Sequence, residues 1–134
     1  MFTKDEVYKR SELHAKYGGQ MQGGISTPAR FDFILLFTSP SGEQYGYKDG
    51  WVNEKLYLYT GEGQSGDMTF TRGNLAIRNH LDDKKDLHLF EYTKSGFVRY
   101  VGQMMYVGFK ERKGIDKNGN PRKIIVFELT PIST

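Results

Sequence analysis

The sequence predicts a single α+β domain built on one strongly curved sheet, expected to roll into a barrel, and three observations carry that expectation. At 134 residues the chain has the length of one domain with one core, and no stretch is polar or repetitive enough to be a linker. It is 37% hydrophobic and 14% aromatic with 16 glycines, which is material for a core crossed by many tight turns. Runs of β-forming residues are interrupted by a few helical stretches without regular β-α alternation, which argues against a doubly wound sheet.

Taken in order, Thr3 followed by Glu6 has the form of a capping box and Ser11 can cap a further turn. Residues 3–17 are therefore expected to be one helix or two short ones, stopped at Gly18-Gly19, with Val7, Leu13 and Tyr17 facing the core. Residues 18–28 hold four glycines and a proline and predict an irregular loop whose backbone can approach another molecule closely. Residues 31–38 predict a buried strand. Residues 43–49 and 55–60 predict two tyrosine-rich strands around a turn near Gly50 to Glu54. A second glycine-rich loop, residues 61–67, precedes a helix capped by Thr71 and running to Leu81, with Leu75, Ile77 or Arg78, and Leu81 on its buried edge. Residues 86–93, 97–112 and 121–131 predict three longer strands, the last two joined by a hairpin marked by Asn118-Gly119.

Composition excludes several classes of function. With no cysteine there are no disulfides, zinc fingers or thiol nucleophiles. The N-terminus has no signal-peptide run and the longest apolar run, Phe33 to Phe37, is far too short to cross a bilayer, so a soluble, cytoplasmic protein with no membrane partner is expected. His14, His80 and His88 fall in no metal-binding or nuclease spacing, and His88, between Leu87 and Leu89, is expected at a surface or half-buried strand position. No phosphate-binding loop or serine elbow occurs. No metal site, cofactor or catalytic residue is expected. Asp49, Glu62 and Asp67 could in principle act as an acid/base pair, but turn chemistry and loop solvation explain them more simply.

The aromatic block is more informative. Tyr45, Tyr47, Trp51, Tyr57 and Tyr59 crowd beside Asp49 and two glycine-rich loops. Residues two apart on a strand share a face, so the tyrosines either pack a hairpin and core or line a pocket. A pocket of flat rings can hold an unstacked base, and a carboxylate in it can accept the exocyclic amine of cytosine. Arg30, Arg72, Arg78, Arg112, Lys113 and Lys123 fall in expected loops and edges, as do Lys117 and Arg122. With a net charge of +3 they are equally consistent with a solvated surface and with phosphate contacts.

Four ordered motifs carry a family resemblance: residues 17–28 (YGGQMQGGISTP), 44–51 (QYGYKDGW), 59–68 (YTGEGQSGDM) and 72–78 (RGNLAIR). Together with Asp86 to Glu91 and Val98 to Gly102, they resemble the SRA-like domain found with HNH nucleases in McrA-type modification-dependent restriction enzymes, from about Arg10 to Pro131. The resemblance implies a PUA-like/SRA-like curved β-barrel flanked by helices, one domain over residues 1–134, that binds double-stranded DNA carrying a modified cytosine, 5-methylcytosine foremost, flipped into a concave pocket. It implies that two tyrosines sandwich the base: Tyr59, in Tyr59-Thr60-Gly61, and Tyr47 twelve positions before it. Asp49 would bind the cytosine edge, one residue nearer the first tyrosine than in the familiar pattern, with Thr60 and Trp51 completing the pocket. Asn74 would be structural or DNA-contacting. Gln20, Met21 and Gln22, or the hairpin over residues 110–122, would probe the grooves or fill the gap left by the base. Nuclease chemistry would belong to a separate HNH domain of a parent protein, in a bacterial, nucleoid-associated setting. The rival expectations are a nuclease fragment or base-modifying hydrolase using the carboxylates, and a reader of duplex shape that flips nothing.

Overall fold

The most apolar run of the chain becomes its most buried strand. In the computed structural model, which describes residues 1–39, 43–44 and 47–132 (43, 44 and 47 by backbone only), all six residues of β3 (Phe33–Thr38) are buried. Its two faces serve two cores. Ile34 and Leu36 point into a cluster with Tyr57, Tyr59, Leu87 and Phe127, while Phe33, Leu35 and Phe37 join Leu13, Phe90 and Tyr100 on the other side. A strand covered on both faces needs apolar side chains at every position, which is why the run shows no alternation.

In chain order the remaining described elements are β1 (Val7–Lys9), α1 (Arg10–Tyr17), β2 (Ile25–Ser26), β4 (Glu43–Gln44), β5 (Tyr47–Lys48), β6 (Gly50–Asn53), β7 (Leu56–Thr60), α2 (Arg72–Arg78), β8 (Asp86–Lys94), β9 (Phe97–Ile115) and β10 (Pro121–Pro131). The main sheet runs β2-β3-β8-β9-β10-β7-β6, with β1 also paired to β9 and with β4-β5 as a separate ribbon. All main-sheet pairs are antiparallel except β3 with β8.

The sheet is open: the described strands β2 and β6 end it without pairing to each other. It is nonetheless strongly curled. The 19-residue β9 slips register against β8 at Leu89/Phe90, where Gly102 has φ 149°, and against β10 at Glu128/Leu129. Each extra residue bends the strand and adds twist. The bend brings β3 and β7, which lie four places apart in the sheet order, within side-chain reach: the Tyr59 hydroxyl donates to the carbonyl oxygen of Phe37 at 3.2 Å. The expected barrel is thus a sheet rolled nearly shut, with side chains spanning the seam.

Several local expectations shift. Residues 7–9 are a strand rather than helix, because Val7, Tyr8 and Lys9 find partners in Arg99, Val98 and Phe97 of β9. Tertiary pairing overrides the capping signal: Glu6 N–H donates to the Thr3 carbonyl in a turn where Asp5 has φ 69°, and α1 starts only at Arg10 after an N-cap, Lys9, with no side-chain bond. Val7 is exposed, whereas Leu13 is buried as expected. The turn expected at Gly50 to Glu54 moves to Glu54-Lys55, where the Asn53 side chain accepts the Lys55 N–H at 2.8 Å. Helix α2 ends at Arg78, and Leu75 and Leu81 are exposed while Gly73, Asn74 and Ile77 form the buried edge. The Thr71 hydroxyl meets Thr69 instead of capping the helix.

His88 is buried, 7% exposed, with Nδ1 2.7 Å from the Tyr100 hydroxyl and the rings of Phe2 and Phe33 edge-on to it. Burial pushes its pKa down to about 4, so it sits neutral in the second core. Among the described residues no helix is long and apolar enough to cross a membrane, and no cluster of His, Asp and Glu is placed to hold a metal ion.

Candidate nucleic-acid interface

A carboxylate joins Tyr59 in bridging the seam between β3 and β7. Asp49, between β5 and β6, accepts the Thr38 hydroxyl at 2.6 Å through Oδ2 and the Thr60 backbone N–H at 2.7 Å through Oδ1. Burial raises its pKa above the ordinary aspartate value of 3.8, opposed by Thr38 and Thr60. The Thr60 hydroxyl is buried beside the same carboxylate, where it too favours the ionised form.

Tyr59 precedes Thr60 on β7. Its hydroxyl donates to the Gly24 carbonyl at 2.5 Å as well as to Phe37, and its ring is 2% exposed. Burial first, then the charges of Asp49 and Glu62, push its pKa well up, so the hydroxyl stays protonated as a donor. Gly24 is required here: a Cβ on it would lie 2.7 Å from the Tyr59 hydroxyl oxygen and 3.0 Å from the Phe37 carbonyl oxygen. Tyr47 is on β5, which packs against β7, and its backbone pairs with Gln44. Its side chain, like Tyr45, lies outside what the structure describes. Trp51 is placed elsewhere: half exposed, edge-on to Tyr57, it lines a separate cleft of about 470 Å³ with Lys4, Asp5, Asn53, Arg99 and Pro131. Beneath that cleft Glu91 accepts the Tyr57 hydroxyl at 2.8 Å and Arg99 Nη2 at 2.6 Å.

The glycine-rich loop over residues 18–24 is braced from below by residues that the sequence did not single out. Arg10, buried, donates from Nε to His14 Nε2 at 2.9 Å, from Nη1 to the Tyr92 hydroxyl at 2.6 Å and from Nη2 to the Gln20 carbonyl at 3.4 Å, with its guanidinium 3.9 Å above the Phe37 ring. His14 accepts from Arg10, so its proton is on Nδ1, which donates to the Gly18 carbonyl at 2.9 Å. Gln20 commits its side chain to Thr27, accepting the Thr27 N–H at 2.7 Å. Met21 and Gln22 are exposed at the loop tip.

Asn74 is structural. Only 2% exposed, it accepts the Glu62 N–H and donates to the carbonyls of Glu62 and Thr69, pinning the loop after Gly61 to α2. Of the carboxylates considered for catalysis, Glu62 accepts the Gly73 N–H and Asp67 the Lys123 N–H, which is loop chemistry. Arg30, Arg72, Arg78, Arg112, Lys113 and Lys123 are all exposed, with Arg78 4.4 Å over the Phe70 ring and Lys123 4.0 Å from Glu111. Arg122 is not: it is buried and donates to the carbonyls of Gly63 and Gly66.

This architecture is that of an SRA domain. It superimposes over its whole length on the sulfur binding domain and SRA domain of ScoMcrA complexed with phosphorothioated DNA, with a TM-score of 0.79 and 25% identity. The SUVH5 SRA domain in complex with hemimethylated CG DNA gives a TM-score of 0.69 at 23% identity, covering 100% of this chain and 90% of that one. The modification-dependent restriction endonuclease AspBHI gives 0.69 at 17% identity over 98% of this chain. At such identities the last two show the fold alone. The chain spans 41% of the ScoMcrA fragment and 42% of AspBHI. A comparison with curated protein sequences gave no match. Residues 4–134 match the family model described as the ScoMcrA-like SRA domain, and the chain belongs to that family.

Proposed function

We propose that this chain is a non-catalytic reader of double-stranded DNA containing a modified cytosine, 5-methylcytosine foremost, which it flips out of the duplex. The observation that carries the proposal is the Asp49 corner: a carboxylate of raised pKa is held between the Thr38 hydroxyl and Thr60, next to Tyr59 in sequence and beside β5, which bears Tyr47. A cytosine edge offers an amine donor to Asp49 and acceptors to Thr60, which suits this set. Of the two expected stacking tyrosines, Tyr59 is buried in the core, 2% exposed, so the proposed stacking falls to Tyr47, a contact worth on the order of 1–3 kcal/mol against a flipping cost of a few kcal/mol. The exposed cations of the long hairpin and α2 supply phosphate contacts. Relatives described as restriction endonucleases, and SRA domains solved with methylated, hydroxymethylated and phosphorothioated DNA, support a recognition module; a separate HNH nuclease domain in a parent protein is part of the same proposal.

Fluorescence anisotropy at one fixed salt concentration, with matched duplexes carrying cytosine, 5-methylcytosine or 5-hydroxymethylcytosine at one site, tests this. Tighter binding to a modified duplex is expected, with 2-aminopurine beside the modified base brightening on binding. Equal affinity for all three leaves a general DNA binder, and quenched 2-aminopurine leaves a reader that does not flip. Tyr47→Ala is the informative variant. Tyr59→Ala, at a fully buried core position, would cost about 3–5 kcal/mol and test folding instead of stacking.

A further inference from the structure

The hairpin tip and the loop that leaves the pocket are one body. Asp116, buried at the turn between β9 and β10, accepts the N–H groups of Asn118 and Asn120 on Oδ1, both at 2.9 Å, and that of Gly66 on Oδ2 at 3.1 Å. Lys117 N–H donates to the Gln64 carbonyl at 2.9 Å, and Arg122 Nη1 to the carbonyls of Gly63 at 2.8 Å and Gly66 at 3.2 Å. Asp67 accepts the Lys123 N–H at 2.7 Å, and Met68 N–H donates to the Lys123 carbonyl at 3.0 Å. The loop over residues 61–68 thus runs along β10 as an irregular third strand, although residues 61–68 and 116–123 are far apart in sequence. Thr60, at the Asp49 corner, leads directly into that loop.

We propose that Asp116 is a positioning residue that holds the cations of the hairpin tip, Lys113, Lys117 and Lys123, at a fixed distance from the base pocket, so that pocket and tip grip one duplex together. The inference rests on the reading of the Asp49 corner as a base pocket. Two weak grips on one rigid body act at high effective concentration, and the gain vanishes when the link between them loosens. Non-specific binding has no fixed docking geometry, and there any cation substitutes for another. The coupling is therefore confined to the modified duplex.

Asp116→Asn isolates the link. An amide can keep its oxygen on Asn118 and Asn120, but it sets its own N–H₂ against the Gly66 N–H. Faster amide exchange is expected at Gly66, with protection retained at Asn118 and Asn120. Binding is then measured for the wild type, Asp116→Asn, Lys117→Ala and the double variant on 5-methylcytosine and plain duplexes. Lys117→Ala is expected to weaken the modified duplex about fivefold and the plain one less than about twofold, and to cost less than about twofold on the modified duplex once Asp116 is Asn. Additive losses, or equal losses on the two duplexes, overturn the proposal. Should Asp116→Asn fail to fold, Lys117→Ala decides alone, since its side chain is exposed. Failure of the pocket reading looks different: the wild type itself then binds both duplexes equally.

Discussion

The two aspartates Asp49 and Asp116 are treated oppositely by their surroundings. Asp116 lies among backbone N–H groups of Asn120, Gly66 and Asn118, which lower its pKa below 3.8. Asp49 is dominated by burial, which raises its pKa in spite of Thr38 and Thr60. A carboxylate wrapped in donors is satisfied and serves architecture. One whose charge is disfavoured by burial gains from an incoming N–H, which is what the proposed base-reading role asks of Asp49.

Removing each separates the roles most sharply. Asp49→Ala is expected to lower affinity for a modified duplex by roughly 10–100-fold, the value of a hydrogen bond to a charged group, about 1.5–3 kcal/mol. Its effect on plain duplex at the same salt should be under about threefold. Asp116→Asn spares the pocket and should cost less. If Asp49→Ala lowers affinity for both duplexes alike, Asp49 is a structural brace of the β3–β7 seam and the comparison collapses.

Acid sharpens the contrast further. Asp49 has a raised pKa in the fold, so its ionised form is disfavoured there; protonation as pH falls relieves that burden while removing the acceptor. Asp116 has a depressed one, so its contribution is present above 3.8 and is lost only as pH falls through its lower folded value. Preference for modified DNA should therefore fade at a higher pH than the loosening of the hairpin tip, followed by Gly66 amide exchange. His88 adds a third acid-sensitive group. Its folded pKa of about 4 lies below the ordinary 6.5, so the unfolded chain takes up a proton first and stability drains as pH falls from 6.5 to about 4. The loss is up to about 3 kcal/mol, each tenfold difference in proton affinity between the folded and unfolded chain being worth about 1.4 kcal/mol. A His88→Phe variant, read by thermal melting from pH 7 to 4.5, should flatten that slope; an unchanged slope would place the proton uptake elsewhere.

Much of this was legible in the sequence because it is written in period and turn chemistry. The five-residue apolar run Phe33 to Phe37 gave β3, and Asn118-Gly119 marked the hairpin, where Gly119 has φ 81°. Tyr59-Thr60-Gly61 led to the corner that Asp49 closes. What stayed hidden depends on long-range contact. Thr3 and Glu6 mimic a cap only while the partner strand β9 is ignored. Trp51 lies two residues from Asp49, and strand alternation leaves both positions on one face by spacing. The register shift between Trp51 and Asn53 belongs to the structure, which sets the ring against Tyr57 in another cleft. Arg10 and His14 carried no motif, because a buried arginine held by a histidine, a tyrosine and a ring has no sequence signature.

Thr38 was equally silent, as the polar last residue of an apolar strand, and it yields the finest test of the comparison. Its hydroxyl donates to Asp49 Oδ2 at 2.6 Å. Thr38→Val preserves shape and removes only that donor, so the carboxylate should rotate more freely and its pKa should rise further. The expected cost on modified duplex is about tenfold or less, since Thr60 still anchors the other oxygen. Because burial of the ionised group is then less compensated, the loss should grow as pH is lowered, and at a higher pH than in the wild type. A loss that does not change with pH would mean that Thr38 supports the strand end and has no part in holding Asp49 ready for a base.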